Sequence, residues 1–288
     1  MKTIKFIVLL SLSVILNSCS SSSDDNSDVS PNTFNYKVNG VVIPITNIIA
    51  RKSENALVVS GVGANGEGVD VEFNKFGNLR NVEFFTMSDP TRSVFYDYSS
   101  NYFNFQLVSI DEVNKRVVVQ FSGRLYEDDG DLTSNFVQVE GNFDVNYQDI
   151  APNVPGLMIF AKIGGADWYS TKSYTTNGNG FDDFILRHNN DDQNQIGIGF
   201  DSTNNGIGTY NFTPSTVTNF VHLSKYDTTT NLYLEYNCTG TLKVTGKTPV
   251  LFGGYIIEGT YSFTAANPSN PAQQIQVTQG TFKTYYNW

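Results

Sequence analysis

Beyond residue 30 the chain alternates apolar and polar side chains in runs of five to nine residues. A period of two puts successive side chains on opposite faces, so such runs fold as strands with one dry and one wet side. Val69-Asp70-Val71-Glu72-Phe73 sends three apolar residues one way and two acids the other. Phe103 to Leu107 and Val117 to Phe121 follow the same rule, and Tyr255, Ile257, Tyr261 and Phe263 share one side. Turn-forming clusters separate the runs: Gly63-Ala64-Asn65-Gly66, Asp128-Asp129-Gly130-Asp131 and Thr176-Asn177-Gly178-Asn179-Gly180. No amphipathic helical stripe occurs past the N-terminal segment. The expectation is an all-β chain of antiparallel sheets.

The pattern also repeats. Tyr36-Lys37-Val38-Asn39-Gly40 aligns with Ala161-Lys162-Ile163-Gly164-Gly165 at an offset of 125 residues, which also pairs Ile43 with Trp168. Late in each half come two glycine-bearing strands, around Gly123 and Gly141 and around Gly259 and Gly280. A glycine inside a strand weakens it, so its recurrence predicts a bulge or a sharp coil of the sheet there. Pro152 and Pro155 mark a stiff connection. These features predict two tandem antiparallel β-sandwich, or flattened β-barrel, domains over residues 33–150 and 158–288, joined by a Pro-rich linker at 151–157. Each should hold about seven to nine strands.

The N-terminus is built differently. Lys2 and Lys5 precede an apolar run from Phe6 to Leu16, broken only by Ser11 and Ser13. A run of about 7–15 apolar residues suits a signal-peptide core and is too short to span a bilayer. It closes on Leu16-Asn17-Ser18-Cys19, which resembles the lipobox of bacterial lipoproteins. That resemblance implies removal of residues 1–18, diacylation of the Cys19 sulfur and acylation of its new amino group. The membrane would then be a partner through lipid on Cys19, held by more than one chain and hence stably. Without that resemblance, the stretch reads as an ordinary secretory signal cut near Ser18.

Residues 19–32 hold a polyserine run with Asp24, Asp25 and Asp28 and read as a solvated leash. Ser23-Asp24-Asp25 resembles the export signal of Bacteroidota surface lipoproteins. It implies a place on the outer membrane, facing the exterior; a plain spacer on a periplasm-facing lipoprotein is the alternative. Phe160-Ala161-Lys162-Ile163-Gly164-Gly165-Ala166-Asp167-Trp168, with Gly208 to Phe212, Gly259 to Phe263 and Gly280-Thr281-Phe282, is similar to a domain family common in Bacteroidota lipoproteins. That likeness covers about residues 158–287 and, more weakly, 34–148. It implies a β fold in the envelope and brings no catalytic residues.

Charge and cysteine content narrow the function. Removing the first 18 of 288 residues leaves 270 and takes away Lys2 and Lys5 but no acid, so the formal charge goes from −10 to −12. That acidity argues against nucleic acid and anionic lipid as electrostatic partners. Only Cys19 and Cys238 are present, so a lipid on Cys19 leaves Cys238 without a disulfide partner. Cys238 reads as a small buried hydrophobe.

Motifs for chemistry are scarce. His188 and His222 have no second ligand at metal spacing, and no Cys-x-x-Cys, His-Glu-x-x-His, nucleophile elbow or phosphate loop occurs. Gly197 and Gly199 alternate within Ile196-Gly197-Ile198-Gly199-Phe200, a strand and not a nucleotide loop. Neither catalysis nor a cofactor is expected. Glu127, Asp128, Asp129 and Asp131 form an oxygen-rich loop and a weak calcium candidate, with Asp182-Asp183 and Asp191-Asp192 as further acid pairs. Against calcium, acids at hairpin tips are ordinary turn formers. Trp168, Tyr169, Tyr174, Tyr285, Tyr286 and Trp288 are candidate aromatic platforms for a glycan or protein ligand, with core packing as the competing role. Two functions fit: a non-catalytic binding or adhesion module, or a structural envelope lipoprotein with no small ligand.

Overall fold

The computed structural model describes residues 31–177, 184–201, 206–250 and 254–286. Cys19, Ser23, Asp24, Asp25, Asp182, Asp183 and Trp288 lie outside them. The described chain is all-β, with one 3-10 turn at Ser99–Asn101 and no helix long and apolar enough to cross a membrane among the described residues.

The first half runs through β1 (Thr33–Val38), β2 (Val41–Val42), β3 (Ile45–Ser53), β4 (Ala56–Gly63), β5 (Gly68–Asn74), β6 (Leu79–Phe85), β7 (Arg92–Ser93), β8 (Phe103–Asp111), β9 (Arg116–Tyr126), β10 (Phe136–Asn146) and β11 (Gln148–Asp149). These pair in the order β11-β3-β4-β5-β6-β7-β9-β10-β1-β2, with β8 also on β9. The second half holds β12 (Met158–Ile163), β13 (Ala166–Tyr169), β14 (Lys172–Asn177), β15 (Phe184–Asn189), β16 (Asn194–Phe200), β17 (Gly208–Phe212), β18 (Phe220–Asp227), β19 (Leu232–Glu235), β20 (Asn237–Pro249), β21 (Tyr255–Asn267) and β22 (Asn270–Tyr286). They form two sheets, β13-β12-β22-β21-β20-β17 and β14-β15-β16-β18-β19. All pairings are antiparallel except the two-residue match of β11 with β3.

The same pairing order appears in both halves. The opening strand lies on the last long strand (β1 on β10, β12 on β22), which lies on the one before it. A meander supplies the other layer, β3-β4-β5-β6 and β14-β15-β16-β18. No sheet closes into a barrel, so the flattened-barrel option does not occur and the layers pack as sandwiches. Each half encloses its own apolar core. One is built around Tyr36, Val71, Phe73 and Phe143, the other around Trp168, Ile196, Ile198 and Phe282. Each such side chain contributes roughly 1.5–3 kcal/mol by leaving water.

The repeated glycines are seats for aromatic rings. A Cβ on Gly141 would strike the ring of Phe121, and one on Gly280 the ring of Tyr261. The expected bulge is present opposite Gly280, where the register shifts between Tyr261 and Phe263. At Gly141 the pairing of β9 with β10 runs without a shift. There the glycine serves ring packing alone.

From Asn32 onward the described residues form one compact unit, and the halves are packed together. Asp191 accepts from Asn78 Nδ2 and Leu79 N, both at 3.1 Å, while its carbonyl accepts from Ser100 N at 2.8 Å. Phe76 and Tyr169 stack face to face at 3.7 Å. Phe95 and Tyr126 from the first half meet Tyr226 from the second in a small aromatic cluster. Lys172 is buried and donates across to the Tyr96 carbonyl of the first half at 2.6 Å; burial pushes its ammonium down to about 8. In the linker segment, Gly156 N donates to both carboxylate oxygens of Glu54, at 3.1 and 2.9 Å.

Candidate functional site

The site lies on the sheet β14-β15-β16-β18-β19. One face of this sheet carries Leu186, Ile196, Ile198, Val221 and Leu223 into the second core. By strand alternation the opposite face carries the residues between them. Cross-strand pairing of Tyr174 with Arg187, Arg187 with Gly197 and Gly197 with His222 sets four residues in a row across it.

Two glycines make this row usable. A Cβ on Gly197 would collide with His222 Nε2 and Cε1, and one on Gly199 would sit 2.5 Å from Phe220 Cε1. Without those side chains, the rings of Phe220 and His222 settle over the backbone of β16. They lie nearly parallel, with centroids 5.7 Å apart and planes 23° from each other. Arg187 then closes over the imidazole. Its Nη1 donates to Gln195 Oε1 at 3.0 Å and to His222 Nε2 at 3.2 Å, and its Nη2 donates to Glu235 Oε1 at 2.9 Å. Gln195 in turn donates to the Tyr174 hydroxyl at 2.8 Å, and Tyr174 packs edge-on against Tyr96 of the first half. A polar chain through Gln195 therefore reaches Tyr174, whose ring contact with Tyr96 meets the first half.

The electrostatics follow from burial and from this contact. Guanidinium can only donate, so His222 Nε2 is the acceptor and the ring proton belongs on Nδ1. Burial pushes His222 down to about 4; Glu235 partly offsets this and Arg187 adds to it. Burial opposes ionisation of Glu235, but the His222 ring and the Arg187 guanidinium outweigh it and hold the carboxyl below its usual range. At neutral pH the site holds one cation, one anion and a neutral imidazole.

Beside this group opens a cavity of about 440 Å³. Phe212, Pro214, Val217, Phe220 and His222 line it, and Thr213, Thr216, Thr218 and Asn237 supply polar groups. The turn carrying the threonines is pinned by Thr213 N donating to Thr216 Oγ1 at 2.9 Å. Cys238 also lines the cavity. Its thiol donates to the Tyr236 carbonyl at 3.3 Å, takes a bond from Leu223 N at 3.4 Å, and is pushed up to about 11 by burial. That makes it a packed group, in keeping with its reading as a small buried hydrophobe. Among the described residues no hydroxyl or thiol hydrogen-bonds His222, so no nucleophile and base are paired.

The aromatic platforms expected from the sequence are dispersed. Trp168 is 2 % exposed and donates from Nε1 to Asp192 Oδ1 at 3.3 Å, which corrects its candidacy: it fills the second core and offers no face to a ligand. Tyr286 is likewise buried and donates to the Phe200 carbonyl at 3.1 Å. Tyr174 is half-buried, with its hydroxyl taken by Gln195. Tyr169 and Tyr285 do line one groove, of about 270 Å³ at the junction of the halves. One face of Tyr169 is covered by Phe76, while Tyr285 is 41 % exposed. In the acidic loop, Asp128 Oδ1 accepts from Gly130 N at 3.0 Å, Asp131 Oδ1 from Thr133 N at 2.8 Å, and Glu127 Oε2 from Asn135 Nδ2 at 3.4 Å. Those carboxylates cap their own turn. Among the described residues no three of His, Cys, Asp and Glu, Asp129 included, converge as a metal site.

No family model matches the chain, and no curated protein matches it. The residues that do converge, Arg187, Phe220, His222 and Glu235, are not among the aromatics and acids singled out by composition. The readable signal was Gly197-Ile198-Gly199: two glycines on one side of a strand call for something large to lie over them.

Proposed function

We propose that this chain is a lipid-anchored envelope lipoprotein, tethered through Cys19 and exported by Ser23-Asp24-Asp25, that acts as a non-catalytic binding module. The cavity beside Arg187, His222 and Glu235 is its ligand site. The observation that carries this reading is the way the site's own side chains hold one another in place beside the cavity. The guanidinium is bonded to Gln195, His222 and Glu235 at 2.9–3.2 Å, and the rings are already seated on glycine. The cavity's volume falls in the range of about 300–1,000 Å³ usual for small-ligand sites, and its walls mix the apolar side chains of Phe212, Val217 and Phe220 with polar groups.

The test is a thermal-shift screen of glycans, peptides and metabolites against the full chain in detergent, beside Arg187→Met. A compound that raises the melting temperature of the unaltered protein but not of the variant supports the reading. If no compound separates the two proteins, the structural-lipoprotein alternative stands instead. Anchoring is checked by palmitate labelling, which Cys19→Ala should abolish, and exposure by protease shaving of intact cells.

A further inference from the structure

Resting on the binding reading above, we infer that the ligand of the Phe220–His222 pocket is an uncharged saccharide, seated with a ring face against Phe220. Charge comes first. Arg187 and Glu235 neutralise each other at 2.9 Å, and His222 accepts from Arg187, so among the described residues this group carries no net charge for an ionic ligand. An anion would have to displace Glu235 on a chain whose formal charge is −10 before processing. A cation would meet the guanidinium.

The polar inventory is the second ground. Glu235 offers an acceptor whose Oε2 is outside the bond to Arg187, and its side chain is 57 % exposed. Thr213, Thr216, Thr218 and Asn237 offer groups that both donate and accept. Hydroxyls also do both, so a ring bearing several satisfies this set where a purely apolar ligand would leave it unpaired.

The floor is the third. Phe220 is held by Gly199 on one side, with His222 continuing the surface at 23°. Phe220 is half-buried and lines the cavity. A flat aromatic face gives contact area to the C–H side of a sugar with little rotamer entropy to lose.

The probes are D-glucose, D-galactose, D-mannose, N-acetyl-D-glucosamine and their disaccharides, titrated into the full chain with binding read by calorimetry. Phe220→Ala should weaken the bound sugar about tenfold through loss of the stacking face. Glu235→Gln, which keeps the shape of an exposed side chain, should weaken it as well, so the outcome does not depend on whether Phe220→Ala folds. Tyr285→Ser, in the other groove, should leave affinity unchanged. If no sugar binds while a charged metabolite or peptide does so in an Arg187-dependent way, this inference falls and the binding reading survives. If nothing binds at all, both fall. Sugar binding lost in Tyr285→Ser but kept in Phe220→Ala would place the site elsewhere and overturn the inference.

Discussion

Gly197 lies directly beneath the imidazole of His222, and a Cβ there would occupy the space of His222 Nε2. Neighbouring strands β16 and β18 pair these two residues, so no turn or hinge can move them apart. Gly197→Ala must therefore lift the ring and break its contact with Arg187 Nη1. Overpacking of this kind costs about 1–3 kcal/mol. We expect Gly197→Ala to lower the urea midpoint by a corresponding amount and to weaken any ligand of the pocket. An unchanged midpoint would show that the ring has room the geometry denies it.

Arg187 and Glu235 act on His222 in opposite senses: the carboxylate raises its pKa and the guanidinium lowers it. Arg187→Met should therefore raise the His222 titration midpoint from about 4, and Glu235→Gln should lower it further. Both shifts are readable from the imidazole proton resonances. Movement of both variants in one direction would contradict the arrangement.

Strands such as β5, β9 and β10 were legible because one face is more open to water than the other, and the period of two records that directly; β16, buried on both faces, is marked instead by its alternating glycines. Val69 to Phe73 needs only itself to be read. The repeat was legible for the same reason: Tyr36 and Ala161 open equivalent strands with a turn at Asn39-Gly40 or Gly164-Gly165. The site was not. Arg187 is 35 residues from His222 and 48 from Glu235, and they meet only through the register of β15, β16, β18 and β19. Register is a tertiary fact. Of the two roles open to Trp168, core packing is the one its place in the repeat, opposite Ile43, favours, and both it and its strand partner Ala161 belong to the second core.

Asp191 joins the halves by accepting from Asn78 and from the Leu79 amide, both on the first half. Asp191→Ala leaves that amide without its acceptor in a partly buried place. Loss of such a partner costs about 1–3 kcal/mol. Each half has its own core, so the loss should fall on their docking. Calorimetry should show one transition for the unaltered chain and two for Asp191→Ala. A single transition at an unchanged midpoint would sink the idea that Asp191 couples them.

His188 gives the sharpest dependence on pH. Burial pushes it down to about 3, and no hydrogen-bond partner is present at its Nε2. Unfolded, it titrates near its ordinary value of about 6.5. Between these values the unfolded chain binds the extra proton, so stability falls as pH drops below about 6.5, by roughly 1.4 kcal/mol per pH unit for this one group. His222 works in the same sense down to about 4. Asp97, Asp191 and Asp192, all raised by burial, work in the opposite sense and blunt the total slope. A difference measurement removes them. His188→Gln keeps a polar group and loses the titration, so its stability relative to the unaltered chain should improve steadily in urea unfolding at pH 7, 6 and 5. Parallel curves over that range would mean that His188 takes up its proton in the folded protein.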